Sequence, residues 1–192
     1  MLVVICGQTA SGKDSIVRKL IEDYGYKRVI SNTTRPMRAG ERDGVDYHFK
    51  NDIPFENTVC MKSYKTTQGT WHYWFNDDDI EEAVNSEDVY ITIADAEGAY
   101  ELEDYGAKII YIYARWEVRA ERYINRESKN ENPDYKEVLR RLIADQRAFD
   151  KLEKEARSGQ KYKILFNSNS ELCHSVKYAH RLIESYRSER NE

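Results

Sequence analysis

The 192 residues are enough for one well-buried core with small appended lobes, and a 40% hydrophobic fraction suits a globular chain. A net charge of −4 argues against a general nucleic-acid binder, and no run of 18 apolar residues is present to form a transmembrane helix. Cys6, Cys60 and Cys173 are odd in number and scattered, which points to reduced thiols in the cytoplasm, and His48, His72, His174 and His180 show no metal-ligand spacing.

Residues 2–6 (Leu-Val-Val-Ile-Cys) read as a strand buried on both faces, not as a signal peptide. Gly7-Gln8-Thr9-Ala10-Ser11-Gly12-Lys13 follows, and then Asp14 and Ser15 open a helix whose apolar residues are Ile16, Val17, Leu20 and Ile21. Strand, glycine loop and helix form the context of a phosphate-binding P-loop. The glycines let successive N–H groups face one anion, the helix N-terminus adds partial positive charge, and Lys13 adds a full one. The usual pattern ends in Lys-Ser or Lys-Thr, with the hydroxyl on Mg²⁺, and here Asp14 takes that place. A carboxylate can also ligate Mg²⁺, and an acid equally suits the first turn of a helix.

Further elements alternate along the chain. Residues 29–31 close a second strand, and 32–44 form a polar loop. Residues 45–49 alternate like an edge strand, and 57–75 form a hairpin about Gln68-Gly69. Asn76 to Asp79 cap a helix that runs through Val84. Strands follow at 88–95, 107–113 and 162–167. Helices are expected at 97–105 and 116–126, then beyond a polar break at 127–133 as one long helix over 135–155, with Val138, Leu142, Gln146, Phe149 and Leu152 on one face. Ser158-Gly159 ends that helix, and a closing helix uses Leu172, Val176, Ala179 and Ile183. The pattern is α/β, a five-stranded parallel sheet covered by helices on both faces.

Basic residues cluster at Lys27, Arg28, Arg35, Arg38 and Arg42, against Glu41 alone, and again within 115–141. In an acidic chain such clusters suit a small, highly charged anion, although part of 115–141 also reads as a solvated helix face. The stretch 31–49, Ser-Asn-Thr-Thr-Arg-Pro-Met-Arg-Ala-Gly-Glu-Arg-Asp-Gly-Val-Asp-Tyr-His-Phe, opens at the same sheet end as the P-loop. Its arginines, three apart, together with hydroxyls at Ser31, Thr33, Thr34 and Tyr47, make a monophosphate clamp.

This stretch strongly resembles the signature of the guanylate kinase family, Ser-x-x-Thr-Arg-Pro-x-Arg-x-Gly-Glu, then Asp or Asn, Gly, Asp, Tyr and Phe. The resemblance implies a P-loop NTPase fold with a core at 1–32, 85–118 and 146–192, a small mixed α/β monophosphate-binding lobe at 33–84, and a helical lid at 119–145. It implies ATP-dependent transfer to a nucleoside monophosphate, GMP or dGMP first, with Mg²⁺ as cofactor. Neither nucleic acid nor membrane is an expected partner. By the same resemblance, Ser31, Arg35, Arg38, Tyr47 and Tyr73 hold the monophosphate, with Asp95 beside the acceptor and the metal. Arg122, Arg126 and Arg141 are the lid arginines, and Asn167 lies near the ATP base. Lys13, Arg38 and the lid arginines form the catalytic set, residues 7–15 hold ATP, and Asp14 and Asp95 are the metal candidates.

The departures concern the acceptor base. The family's second acid, two before Asp95, is Ile93. Its guanine-reading glutamate falls near Ser63, and its Gly and Ser/Thr after the tyrosine are Trp74 and Phe75. The run Trp71-His72-Tyr73-Trp74-Phe75 suits either stacking on a base or packing the lobe. A different or broader base preference, a non-catalytic binding module and a P-loop kinase for another small phosphate are the alternatives. Lys13 and the three lid arginines speak against the module, and 31–49 against the other kinase.

Overall fold

The structure is a computed structural model that describes residues 1–38, 40–54, 56–66, 69–159, 161–168 and 171–190, with Thr66 by its backbone alone. Gln68, assigned from sequence to the hairpin turn, lies outside the described residues.

The central sheet runs in the order β2-β7-β1-β8-β9, with every pairing parallel. Its strands are β1 (Leu2–Cys6), β2 (Lys27–Arg28), β7 (Tyr90–Ala94), β8 (Lys108–Tyr113) and β9 (Lys163–Phe166). The period of two in β1 divides the core. Leu2, Val4 and Cys6 pack on one face with Ile80 and Ala83 of α2 (Asp77–Asn85), Leu102 of α3 (Ala96–Asp104) and Leu152 of α6 (Asp150–Ser158). Val3 and Ile5 pack on the other face with Ile16, Val17 and Leu20 of α1 (Lys13–Tyr24) and with Val176, Ala179 and Ile183 of α7 (Leu172–Arg190). Because β7 and β8 flank β1 on opposite sides, the strand order reverses there, and the loop leaving β1 faces the resulting crevice.

A second sheet, in the order β4-β3-β6-β5, forms a separate lobe from β3 (Asn32–Thr33), β4 (His48–Phe49), β5 (Val59–Thr66) and β6 (Gly69–Phe75). The expected hairpin is β5–β6, and β4 is an edge strand shorter than its alternating pattern suggests. α4 (Trp116–Glu127) and α5 (Tyr135–Ala148) flank the polar break and share a small core of Ala120, Tyr123, Val138 and Leu142, to which the loop residue Ala10 adds.

Four local expectations are corrected. The second core strand is Lys27–Arg28, not 29–31. The Val29 carbonyl accepts from the Thr92 hydroxyl at 2.9 Å instead of continuing the ladder, and the chain crosses to the lobe, where Asn32 and Thr33 pair with β6. Residues 32–44 therefore begin as a buried strand rather than as loop. The long helix over 135–155 is two helices joined at Phe149 (φ −96°, ψ −2°). Val138 and Leu142 serve the α4–α5 core, whereas Phe149 and Leu152 turn into the main core, so the chain bends to serve both. Leu172 is exposed at the start of α7, whereas Val176, one turn on, is buried.

Candidate active site

The loop after β1 requires both of its glycines. A Cβ at Gly7 would stand 2.5 Å from the Ile112 carbonyl, and Gly12 is left-handed (φ 95°), with Asn167 Nδ2 where a Cβ would go. Asn167 is buried, donating to the Ser11 carbonyl at 2.7 Å and accepting from the Ser175 hydroxyl at 2.9 Å. It therefore braces the loop from β9. From the lid side Arg122 Nη1 reaches the carbonyls of Ala10 and Ser11 at 3.5 and 3.4 Å, and burial lowers its pKa. Lys13 is mostly covered, while Asp14 is open to solvent and lies 3.8 Å from the Lys13 ammonium.

One neighbour of the loop left no mark in the sequence. The Asp145 carboxylate of α5 accepts from the Thr9 N–H, and the Asp145 carbonyl accepts from Gln8 Nε2 at 3.4 Å. Only the tertiary packing of α5 brings this acid to the loop. Arg119, also unanticipated, is fully buried on α4, donating to the Ala114 carbonyl at 3.2 Å.

The second constellation assembles around Arg35, which is buried. Its guanidinium donates to the Tyr73 hydroxyl at 3.0 Å, to the Pro36 carbonyl at 2.7 Å, and to both oxygens of Glu41 at 2.7 and 3.0 Å. Burial alone would lower its pKa, but the Glu41 and Tyr73 contacts outweigh it and raise it. The Tyr47 ring lies 5.4 Å from this guanidinium and meets Tyr73 edge-on at 5.7 Å. Glu41 also accepts from the Arg38 N–H, Asp43 from the Phe49 N–H and Asp46 from the Arg42 N–H, so the acids of the stretch staple its loop. The hydroxyls of Thr33 and Thr34 do the same. Thr33 donates to the His72 carbonyl and Thr34 accepts from the His72 N–H, which takes both out of the clamp expected of them.

The two constellations meet. Asp14, Ser31, Tyr47, Thr92 and Ile93 line one cleft. Burial raises the Tyr47 pKa, and the neighbouring Tyr73 and Asp14 raise it further. Asp95, the N-cap of α3, accepts from the Gly98 N–H at 2.8 Å and from the Tyr64 hydroxyl at 2.9 Å, so each of its oxygens is engaged. Asp14 is the open carboxylate of the cleft and fits a hard cation held by one protein oxygen plus phosphate and water. Among the described residues Glu171, Cys173 and His174 also lie close enough to share a metal ion, a grouping that histidine spacing did not suggest, but all three are exposed.

Other candidates stand apart. Arg38 is exposed, Arg126 stacks on Tyr123 at 4.6 Å, and Arg141 is paired with Glu137 at 2.7 Å. Hydrogen bonds from Arg140 and then Arg141 hold the Glu137 carboxyl down at about 2. Ser63 bonds His72 at 2.8 Å and shares that residue's face of the hairpin, opposite Tyr73. Trp74 and Phe75 are buried, Phe75 in the main core with Leu2 and Ile80, while Trp71, His72 and Tyr73 stay partly open.

Known proteins resemble this chain in sequence and in fold. The family model "Guanylate kinase" matches residues 1–167. A guanylate kinase of Legionella pneumophila (strain Lens) is 37% identical over 75 residues, 38% of this chain and 36% of the relative. One of Schizosaccharomyces pombe is 39% identical over 64 residues, 32% of each. The chain thus aligns with about a third of the length of these curated relatives. The crystal structure of guanylate kinase from Anaplasma phagocytophilum superposes with a TM-score of 0.60 at 15% identity, over 97% of this chain and 86% of that one, a likeness of fold. With the family match running from the P-loop strand to Asn167, this chain belongs to the guanylate kinase family.

Proposed function

We propose that the chain transfers the γ-phosphoryl group of ATP to a nucleoside monophosphate, GMP or dGMP first among acceptors, in a reducing, cytoplasmic setting suited to its free thiols. The observation that carries this reading is the shared cleft: Asp14, next to the P-loop lysine, lines it together with Ser31 and Tyr47 of the arginine-rich stretch. A donor phosphate and an acceptor phosphate are then neighbours. Phosphoryl transfer asks little covalent chemistry of a protein; it needs alignment and neutralised equatorial charge.

In this reading residues 7–15 and Asn167 form the ATP site. Lys13 and Arg122 neutralise the transferred group from the loop and lid sides. Ser31, Arg35, Arg38, Tyr47 and Tyr73 hold the acceptor phosphate, with Glu41 keeping the Arg35 fork in place. Asp14 would hold Mg²⁺, which supplies charge neutralisation between the phosphates when bound, and Asp95 orders the acceptor side through Tyr64. The lobe is residues 33–84 and the lid 119–145. Arg126 and Arg141 complete the site when the lid, hinged at the polar break, excludes water.

The test is ADP release with every ribo- and deoxynucleoside monophosphate. Turnover with at least one acceptor is expected, GMP or dGMP leading. Lys13→Met lowers kcat by at least about a hundredfold at unchanged melting temperature, the scale of losing one charge-stabilising donor. A folded protein inactive with every acceptor overturns the proposal, and a fully active Lys13→Met variant overturns the assignment of the loop.

A further inference from the structure

Residues directly paired across a ladder share a face of the sheet. Lys62 pairs with Tyr73 and Tyr64 with Trp71, so these four side chains share one face of the β5–β6 hairpin. This face turns toward α3. Lys62 Nζ lies 2.7 Å from Glu97 Oε2 and 2.9 Å from Glu101 Oε1, and Tyr64 donates to Asp95. Cys60 Sγ, 3.8 Å from the Gly98 carbonyl, brings β5 onto the same helix. A nucleotide whose phosphate is gripped by Arg35 and Tyr73 carries its base along this face, because Lys62 is the cross-strand neighbour of Tyr73 while Asp14 lines the phosphate side of the cleft.

The groups awaiting the base are one donor and two acceptors. Lys62 is mostly covered and uses two of its three N–H bonds on the glutamates, which leaves one. Burial alone would lower its pKa, but its hydrogen bonds to Glu97 and Glu101 outweigh that and raise it. Glu97 and Glu101 are more open to solvent and keep free lone pairs. The complement is a base edge with one acceptor and two donors. Guanine presents that set, a keto oxygen, a ring N–H and an exocyclic amine. Hypoxanthine lacks the amine, uracil and thymine offer a single donor between two acceptors, and adenine and cytosine place an amine beside an unprotonated ring nitrogen.

We infer that Lys62, Glu97 and Glu101 are the specificity-determining residues for the acceptor base, Lys62 donating to the keto oxygen and the two glutamates accepting from the ring N–H and the amine of guanine. The inference rests on the functional reading above. It places the guanine-reading carboxylates on α3, where the hairpin position carries Ser63, turned to the opposite face.

The test pairs steady-state kinetics with calorimetric binding of GMP, IMP, AMP, CMP, UMP and dTMP to the full chain. GMP is expected to exceed IMP by about tenfold or more in kcat/KM and in affinity, and to exceed AMP by at least about a hundredfold, the scale on which sites with paired polar groups discriminate. Glu97→Ala with Glu101→Ala brings the GMP:IMP ratio close to one, mainly through KM for GMP, with KM for ATP unchanged. Lys62→Met lowers GMP and IMP alike while sparing AMP, and Lys62→Arg retains most of the preference. If the cluster only ties the hairpin to α3, every acceptor weakens in parallel and the ratios stay as in the parent chain; that result overturns the inference, as does a parent chain that binds AMP or a pyrimidine nucleotide more tightly than GMP. A chain that binds GMP selectively through these residues without turnover overturns the kinase reading and leaves the recognition set standing.

Discussion

Asp145 shows how a single side chain can work against a site that its neighbours build. A P-loop N–H is arranged for an anion, and here the Thr9 N–H is satisfied by the Asp145 carboxylate of a lid helix. Incoming triphosphate brings more negative charge to the same loop, and like charges at such range repel with little screening. Asp145→Asn keeps an oxygen able to accept from Thr9 and removes the charge. ATP is expected to bind about three- to tenfold more tightly, with a shallower dependence on salt, as measured by calorimetry; unchanged or weaker binding would show that the carboxylate serves only to hold the loop. At this scale the sequence was legible wherever partners lie close along the chain. Arg35, Glu41, Tyr47 and the stapling acids fall within one short stretch, and the glycines declare the loop by their spacing. Asp145 was not legible, because an acid on an amphipathic helix looks the same whether it meets water or an N–H.

Among the elements, the helix pair joined at Phe149 is the most informative. A 3.6-residue period reports which face is apolar, not which neighbour covers it. Residues 135–155 carry one continuous stripe, yet Val138 and Leu142 cover Ala120 and Tyr123, while Phe149 reaches Tyr111 and Leu152 in the main core. A straight rod cannot serve both sites, so the bend sits between them. Phe149→Ala removes a buried ring at this joint and should cost about 3–5 kcal/mol of stability, read as a lower denaturant midpoint. A loss below about 1 kcal/mol would mean that the joint repacks without it. The strand expected at 29–31 moved for a related reason: a short apolar run shows strand tendency, but the availability of β7 and β6 decides which residues pair.

For the whole molecule, the lobe, the lid and the loop are coupled by contacts that cross between them. Asn32 donates to Asn76 at 3.1 Å where the lobe meets α2, and Ala10 and Arg122 join the loop to α4. A ligand present at a hundred times its dissociation constant stabilises the folded state by about 2.7 kcal/mol. If closure joins the two halves of the cleft, a non-hydrolysable ATP analogue and GMP together should raise the melting temperature by more than the sum of their separate shifts, as followed by scanning calorimetry. Strictly additive shifts would mean that the two sites close independently.

Read from the residues alone, the chain already announced a buried first strand, a phosphate loop, an arginine-rich monophosphate stretch and alternating strands and helices in a parallel sheet, because each of these is written in short spacings that local geometry imposes. Tertiary packing decided what no spacing encodes: that Asp14 faces Tyr47 across a cleft, that Thr33 and Thr34 are spent on β6, that Asp145 caps the loop, and that Lys62 meets two glutamates of α3. These pairs lie far apart in the chain, and their meeting depends on how each apolar face finds cover, a property of the whole core rather than of any segment.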